Sequence, residues 1–156
     1  QAFLDGMDYV FGEDATKVEM AMMKFIRSML MAVRCANGLF CAHSLPNQRK
    51  RAQFDPSIVD RVPTRADLIG PDGSAHLMVW GRNIAQDWAD DLAAFWSVDC
   101  FALGHQPAEM GYETHEQSML ILNSDDEHGM VLEVDLSQPA ARDPLIDKLI
   151  PLAGVI

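Results

Sequence analysis

The stretch FALGHQPAEMGY, residues 101–112, decides the fold of this chain. Its apolar start ends in Gly104 and His105, and a polar turn containing Pro107 and Gly111 follows. This order predicts a strand over residues 98–103 that carries one imidazole into the loop at its C-terminal end. Ligand sites of α/β folds lie at that end of the strands, so the loop is a candidate site.

The same plan occurs upstream in LFCAHSLPN, residues 39–47. An apolar run over residues 39–42 predicts a strand, and it leads to His43 and a polar turn. Neutral imidazole is the commonest metal ligand, so two strand-end histidines predict that His43 and His105 share a metal ion. The alternative interpretation is structural, with each histidine only ending its strand.

Composition limits the classes of function. The chain has 156 residues, 49% of them hydrophobic, which predicts a single domain over residues 1–156. Twelve basic against 23 acidic residues give a net charge of −11, which argues against a nucleic-acid partner. Three cysteines, two of them inside apolar runs, predict reduced thiols and a cytoplasmic location. Apolar runs stay well below the ~18 residues of a membrane span, so no membrane partner is expected.

Strand and helix patterns interleave along the chain, which predicts an α/β fold with a mixed sheet flanked by helices. Further strands are predicted over residues 75–80, 118–123 and 130–136, with a hairpin-like turn between the last two. Helices are predicted over residues 14–36, where a Met-rich apolar stripe is most simply core, over residues 84–96, and from Asp143 onward. The acidic run at residues 125–128 is expected to be solvated, near the rim of the site.

Short motifs follow one another in a fixed order: FCAHS at residues 40–44, VWGR at 79–82, GHQ at 104–106, EMGY at 109–112, LILNS at 120–124 and GMVL at 129–132. Together they resemble the C-terminal half of a calcineurin-like metallophosphoesterase. The closest branch is the PPP-type serine/threonine phosphatases and their bacterial relatives. The resemblance covers residues 1 to about 136.

This resemblance implies half of an α/β/β/α sandwich and metal-dependent phosphoester hydrolysis at a dinuclear site of the Mn, Fe, Zn or Ni type. His43 and His105 fall on two late metal ligands. Arg82 is the expected phosphate contact, and Asn47 is a second candidate for phosphate or metal-bound water. Residues expected to shape the loop around the ligands are Gln106, Glu109 and Tyr112. A phosphoprotein, a dinucleoside polyphosphate and a small phosphoester all stay open as substrate.

The first three motifs of the family, Gly-Asp-x-His, Gly-Asp-x-x-Asp-Arg-Gly and Gly-Asn-His-Glu, are absent from this sequence. They supply most of the metal-binding carboxylates and the catalytic histidine, so no catalytic residue is assigned in this segment. The chain is expected to begin just after the third motif. Alone it should bind metal weakly or not at all, and should be inactive, whereas the full-length protein is expected to be an enzyme.

One sheet face would then need a complementary N-terminal half or a second copy of the chain. The alternative function is a non-catalytic interaction module, or one half of a split enzyme, that keeps the fold without the reaction.

Overall fold

The computed structural model describes residues 2–125 and 127–154. The chain divides into two compact units, one ending at Leu30 and one beginning at Met31. The prediction of one domain over residues 1–156 stays a prediction. Within the described residues, every helix is too short or too polar to cross a membrane.

The first unit consists of helix α1 (Ala2–Phe11), a 3₁₀ turn (Gly12–Asp14) and helix α2 (Ala15–Ser28). Helix α2 has the apolar spacing expected from the sequence, but it ends at Ser28, and the backbone becomes extended at Met29. The prediction of a helix to residue 36 was therefore wrong. The Met-rich stripe is also not core: Met20, Phe25 and Ile26 are each more than half exposed.

The second unit is built on a five-stranded mixed sheet, with strands β1 (Ala32–Arg34), β2 (Leu39–Ala42), β3 (Cys100–Leu103), β4 (Tyr112–His115) and β5 (Met119–Leu122). The strand order is β1-β2-β3-β5-β4. Strands β2, β3 and β5 are parallel neighbours, and the two edge strands are antiparallel to them. This confirms the predicted α/β class with a mixed sheet flanked by helices.

Alternating residues of the central strands face two different cores. On one face, Phe40 and Phe101 pack against helices α4 (Ser74–Trp80) and α5 (Gln86–Trp96). The rings of Phe40 and Trp96 stack there with centroids 4.4 Å apart. On the other face, Leu39 and Leu120 pack against the C-terminal segment. That segment contains helix α6 (Arg142–Ile146) and an antiparallel pair formed by β6 (Met130–Leu132) and β7 (Leu149–Pro151).

Two further element predictions were wrong. Residues 75–80 were expected to form a strand but belong to helix α4, in which Ser74, Ala75, Leu77 and Met78 are buried and Val79 is exposed. That burial follows helical spacing rather than strict alternation. Strands β5 and β6, expected to be joined by a hairpin-like turn, do not pair with each other: β5 pairs with β3 and β4, whereas β6 pairs with β7, and one backbone hydrogen bond from Met130 to Asn123 links their ends. Short helices lie at Pro56–Asp60 (3₁₀) and at α3 (Arg65–Leu68).

Candidate functional site

The site lies where strands β2 and β3 end side by side. Because the two strands are parallel and Ala42 is in register with Leu103, their C-terminal ends reach the same edge of the sheet. The N–H of Gly104 donates to the carbonyl of His43 (3.1 Å), which extends the pairing one residue beyond the strands. His43 and His105 therefore enter the same loop region, as the sequence predicts.

The two imidazoles converge. Nε2 of His43 lies 3.0 Å from Nδ1 of His105, and the ring centroids are 4.7 Å apart. His105 has a φ of +67°, in the left-handed region that residues other than glycine rarely adopt. Residues held in that conformation cluster at functional sites, because the strained backbone aims a side chain that is needed there. At this site the strained residue is one of the paired histidines.

A third group, Arg82, completes the cluster. Its Nε–H donates to Nε2 of His105 at 3.3 Å. A guanidinium can only donate, so Nε2 of His105 carries no proton, and the proton of this neutral ring sits on Nδ1. Nδ1–H of His105 then donates to Nε2 of His43. Burial of the ring, and after it the neighbouring His43 and Arg82, lowers the pKa of His105, which agrees with a neutral ring.

Ser44 fixes the backbone that leads to Arg82. Its buried hydroxyl donates to the carbonyl of Met78 (2.6 Å) and accepts the N–H of Gly81 (3.1 Å). A Cβ on Gly81 would lie 1.5 Å from the carbonyl oxygen of Leu45, so only glycine fits this close approach. The end of helix α4 is thereby fixed against the end of strand β2. The sequence gives no signal for this role of Ser44 beyond its place next to His43.

Trp80 forms one wall of the site. Its ring meets that of His105 edge to face, with centroids 5.7 Å apart, and 63% of the residue is exposed. A cleft at the histidines is lined by His43, His105, Gln106, Pro107, Leu122, Asn123 and Asp125. Asn123 was not singled out from the sequence. Asp125 belongs to the acidic run expected near the rim, and Asp126 of that run lies outside the described residues.

The other predicted site residues are placed differently. Asn47 lines a separate groove with His76 and Trp80, and its side-chain oxygen caps the turn Gln48–Lys50 by accepting the N–H of Arg49. Glu109 is exposed in a turn. Tyr112 begins strand β4 and packs against the core on the second sheet face. Gln106 lines the cleft with the histidines. The roles assigned to these residues stay predictions.

The donor set fits a metal ion in part. Metal–imidazole bonds are ~2.0–2.1 Å long, so two nitrogens 3.0 Å apart would subtend about 95° at a shared ion, close to an octahedral angle. Within residues 2–125 and 127–154, the His, Cys, Asp and Glu side chains form no group of three that could hold a metal ion. The histidine pair thus offers two ligands, and a tightly held ion would need more from elsewhere.

A scan against profiles of known protein families finds no match to this chain, and a search of curated proteins finds no relative of it.

Proposed function

We propose that this chain is the C-terminal half of a metal-dependent phosphoester hydrolase of the calcineurin-like type. The observation that carries the proposal is the convergence of two imidazole nitrogens, 3.0 Å apart, from the ends of neighbouring parallel strands. The mixed sheet with helices α4 and α5 packed on one face suits the sheet-and-helix layer expected of half of an α/β/β/α sandwich, and the C-terminal segment packs on its other face. The remaining ligands would come from a complementary N-terminal half.

Each side chain at the site has a distinct task in this proposal. His43, through Nε2, and His105, through Nδ1, would hold one ion of a dinuclear pair. Bound divalent ions polarise the phosphoryl group and lower the pKa of a coordinated water. Arg82 binds the phosphate of the substrate, because its two terminal amino groups have no partner among the described residues and match two phosphate oxygens at once. Trp80 shields one side of the site from water.

The test uses the full-length protein encoded by the open reading frame, with p-nitrophenyl phosphate and Mn²⁺. We expect turnover that a chelator abolishes and that His105→Ala removes. His115→Ala is the matched control, because His115 lies in strand β4 and contacts Glu113 rather than the histidine pair. Turnover in the wild type no higher than in His105→Ala would refute the proposal. The 156-residue chain alone should show no useful turnover.

A second candidate is a non-catalytic interaction module. The observation that favours it is the run of exposed apolar side chains in the first unit, including Tyr9, Phe25 and Leu30. A soluble protein rarely leaves so many large apolar groups uncovered unless they meet a partner. One measurement on the full-length protein separates the two candidates: binding of Ni²⁺ that depends on His43 favours the hydrolase, and absence of such binding favours the module.

A further inference from the structure

The hydrogen bond from Arg82 to His105 constrains where the imidazole proton can be. Arg82 Nε is always protonated, so it meets His105 Nε2 only as donor to acceptor. The single proton of the neutral ring is then on Nδ1, the nitrogen that faces His43 at 3.0 Å. In this arrangement the lone pair that would bind a metal ion at Nδ1 is occupied by a proton.

A metal ion on Nδ1 reverses this pattern. The coordinated nitrogen gives up its proton, and the neutral ring carries its proton on Nε2 instead. Two N–H groups, from Arg82 and from His105, would then face each other at a separation of 3.3 Å. They cannot form a hydrogen bond, and the positive guanidinium also repels the ion. The Arg82–His105 hydrogen bond and a metal ion on Nδ1 therefore exclude each other.

Arg82 is free to move away. The residue is exposed, its terminal amino groups have no partner in the described part of the chain, and Nε is its only bonded nitrogen. An oxyanion that binds the guanidinium would give the side chain new partners and draw it off His105. Binding of the anion and binding of the metal then favour the same position of Arg82.

We propose that Arg82 is a latch that couples binding of the metal ion to binding of phosphate. Arg82 lowers the affinity of the histidine pair for metal until a phosphate binds the Arg82 guanidinium. This inference rests on the proposed function, because it takes His43 and His105 as metal ligands. Coupling of this kind is reciprocal, so phosphate tightens metal binding and metal tightens phosphate binding by the same factor. Arg82 acts here as a positioning residue.

The experiment measures the affinity of the 156-residue chain for Ni²⁺ by calorimetry at constant pH, without phosphate and with inorganic phosphate. Arg82→Lys is the central variant, because lysine keeps the charge but places a methylene where arginine has Nε. An exposed hydrogen bond to a charged group is worth roughly a three- to tenfold change in an equilibrium constant. Arg82→Lys and Arg82→Ala should therefore bind Ni²⁺ three- to tenfold more tightly without phosphate.

Arg49→Ala is the matched control. It removes one positive charge from a different groove, where the described residues offer the Arg49 guanidinium no partner, and it should leave the Ni²⁺ affinity unchanged. An independent readout is the ¹⁵N correlation spectrum of the imidazoles. It should place the His105 proton on Nδ1 in the metal-free chain and on Nε2 after Zn²⁺ is added.

The outcomes separate the two proposals. Ni²⁺ binding that His43→Ala abolishes but that Arg82→Lys leaves unchanged would overturn the latch and retain the hydrolase. If Arg82→Ala binds Ni²⁺ more tightly than the wild type but Arg82→Lys does not, the effect is charge repulsion alone, and the latch is also overturned. Absence of any His43-dependent binding in all variants of the 156-residue chain would overturn the latch, whereas the hydrolase stands or falls with turnover by the full-length protein.

Discussion

Ser44→Ala should destabilise the second unit by about 2 kcal/mol. The variant removes the hydroxyl that joins the end of strand β2 to the end of helix α4. The carbonyl of Met78 keeps a partner, because the backbone N–H of residue 44 also donates to it at 3.2 Å. The N–H of Gly81 is buried and loses its acceptor. A buried donor left unsatisfied costs about 1–3 kcal/mol, and the middle of that range is the expected loss.

Urea unfolding followed by tryptophan fluorescence measures this loss. With a slope of about 2 kcal/mol per molar urea, typical of a chain this size, the midpoint should fall by about 1 M. Ser137→Ala is the matched control: its hydroxyl donates to Asp135 at an exposed position, so the change should stay within about 0.5 kcal/mol. A Ser44→Ala midpoint within about 0.2 M of the wild type, at equal slope, would refute the role assigned to this hydroxyl.

Gly81→Ala should destabilise the second unit by about 3 kcal/mol or more, a larger loss than that of Ser44→Ala, because the added Cβ would lie 1.5 Å from the carbonyl oxygen of Leu45. An unchanged urea midpoint would contradict this prediction. The hydrogen bonds from Arg61 hold the pKa of Asp67 below its usual range, so the ionised carboxylate stabilises the fold above about pH 4, and this contribution is lost as the pH falls further. The wild type should therefore melt at a higher temperature than Asp67→Asn at pH 7, and this difference should shrink as the pH falls to 2.5. A difference that stays constant over this range would contradict the role assigned to the Asp67 carboxylate. The exposed apolar side chains of residues 4–30 should make the chain associate at micromolar concentration. Light scattering that reports a monomer, unchanged by an added complementary half, would remove this expectation.

The sequence predicts the centre of the second unit well. The runs at residues 39–42 and 98–103 are apolar, short and bounded by turn residues, which is the pattern of buried parallel strands. Helix α5 follows from the spacing of Ile84, Trp88 and Leu92. Because two strands of this kind end in histidine, the proximity of His43 and His105 also follows from the pattern.

Long-range contacts decide the parts that the pattern does not predict. Residues 75–80 are a short apolar run, and such a run suits a strand and a buried helix equally well. Residues 32–34 continue the helical spacing of α2, but their backbone pairs with strand β2 instead, and that pairing overrides local propensity. Ser44 meets Gly81 across 37 positions of sequence, a contact that follows only from the position of helix α4.

The left-handed backbone at His105 means that folding and binding favour different residues at this position. A non-glycine residue there costs about 1–2 kcal/mol, which glycine avoids. A library of all substitutions at position 105, sorted once for folded protein and once for retained ligand, should enrich glycine in the first sort and deplete it in the second. Position 43 is not among the residues with positive φ, so glycine should lose in both sorts there. The residues recovered at position 105 in the two sorts would then separate selection for the imidazole from selection for the fold.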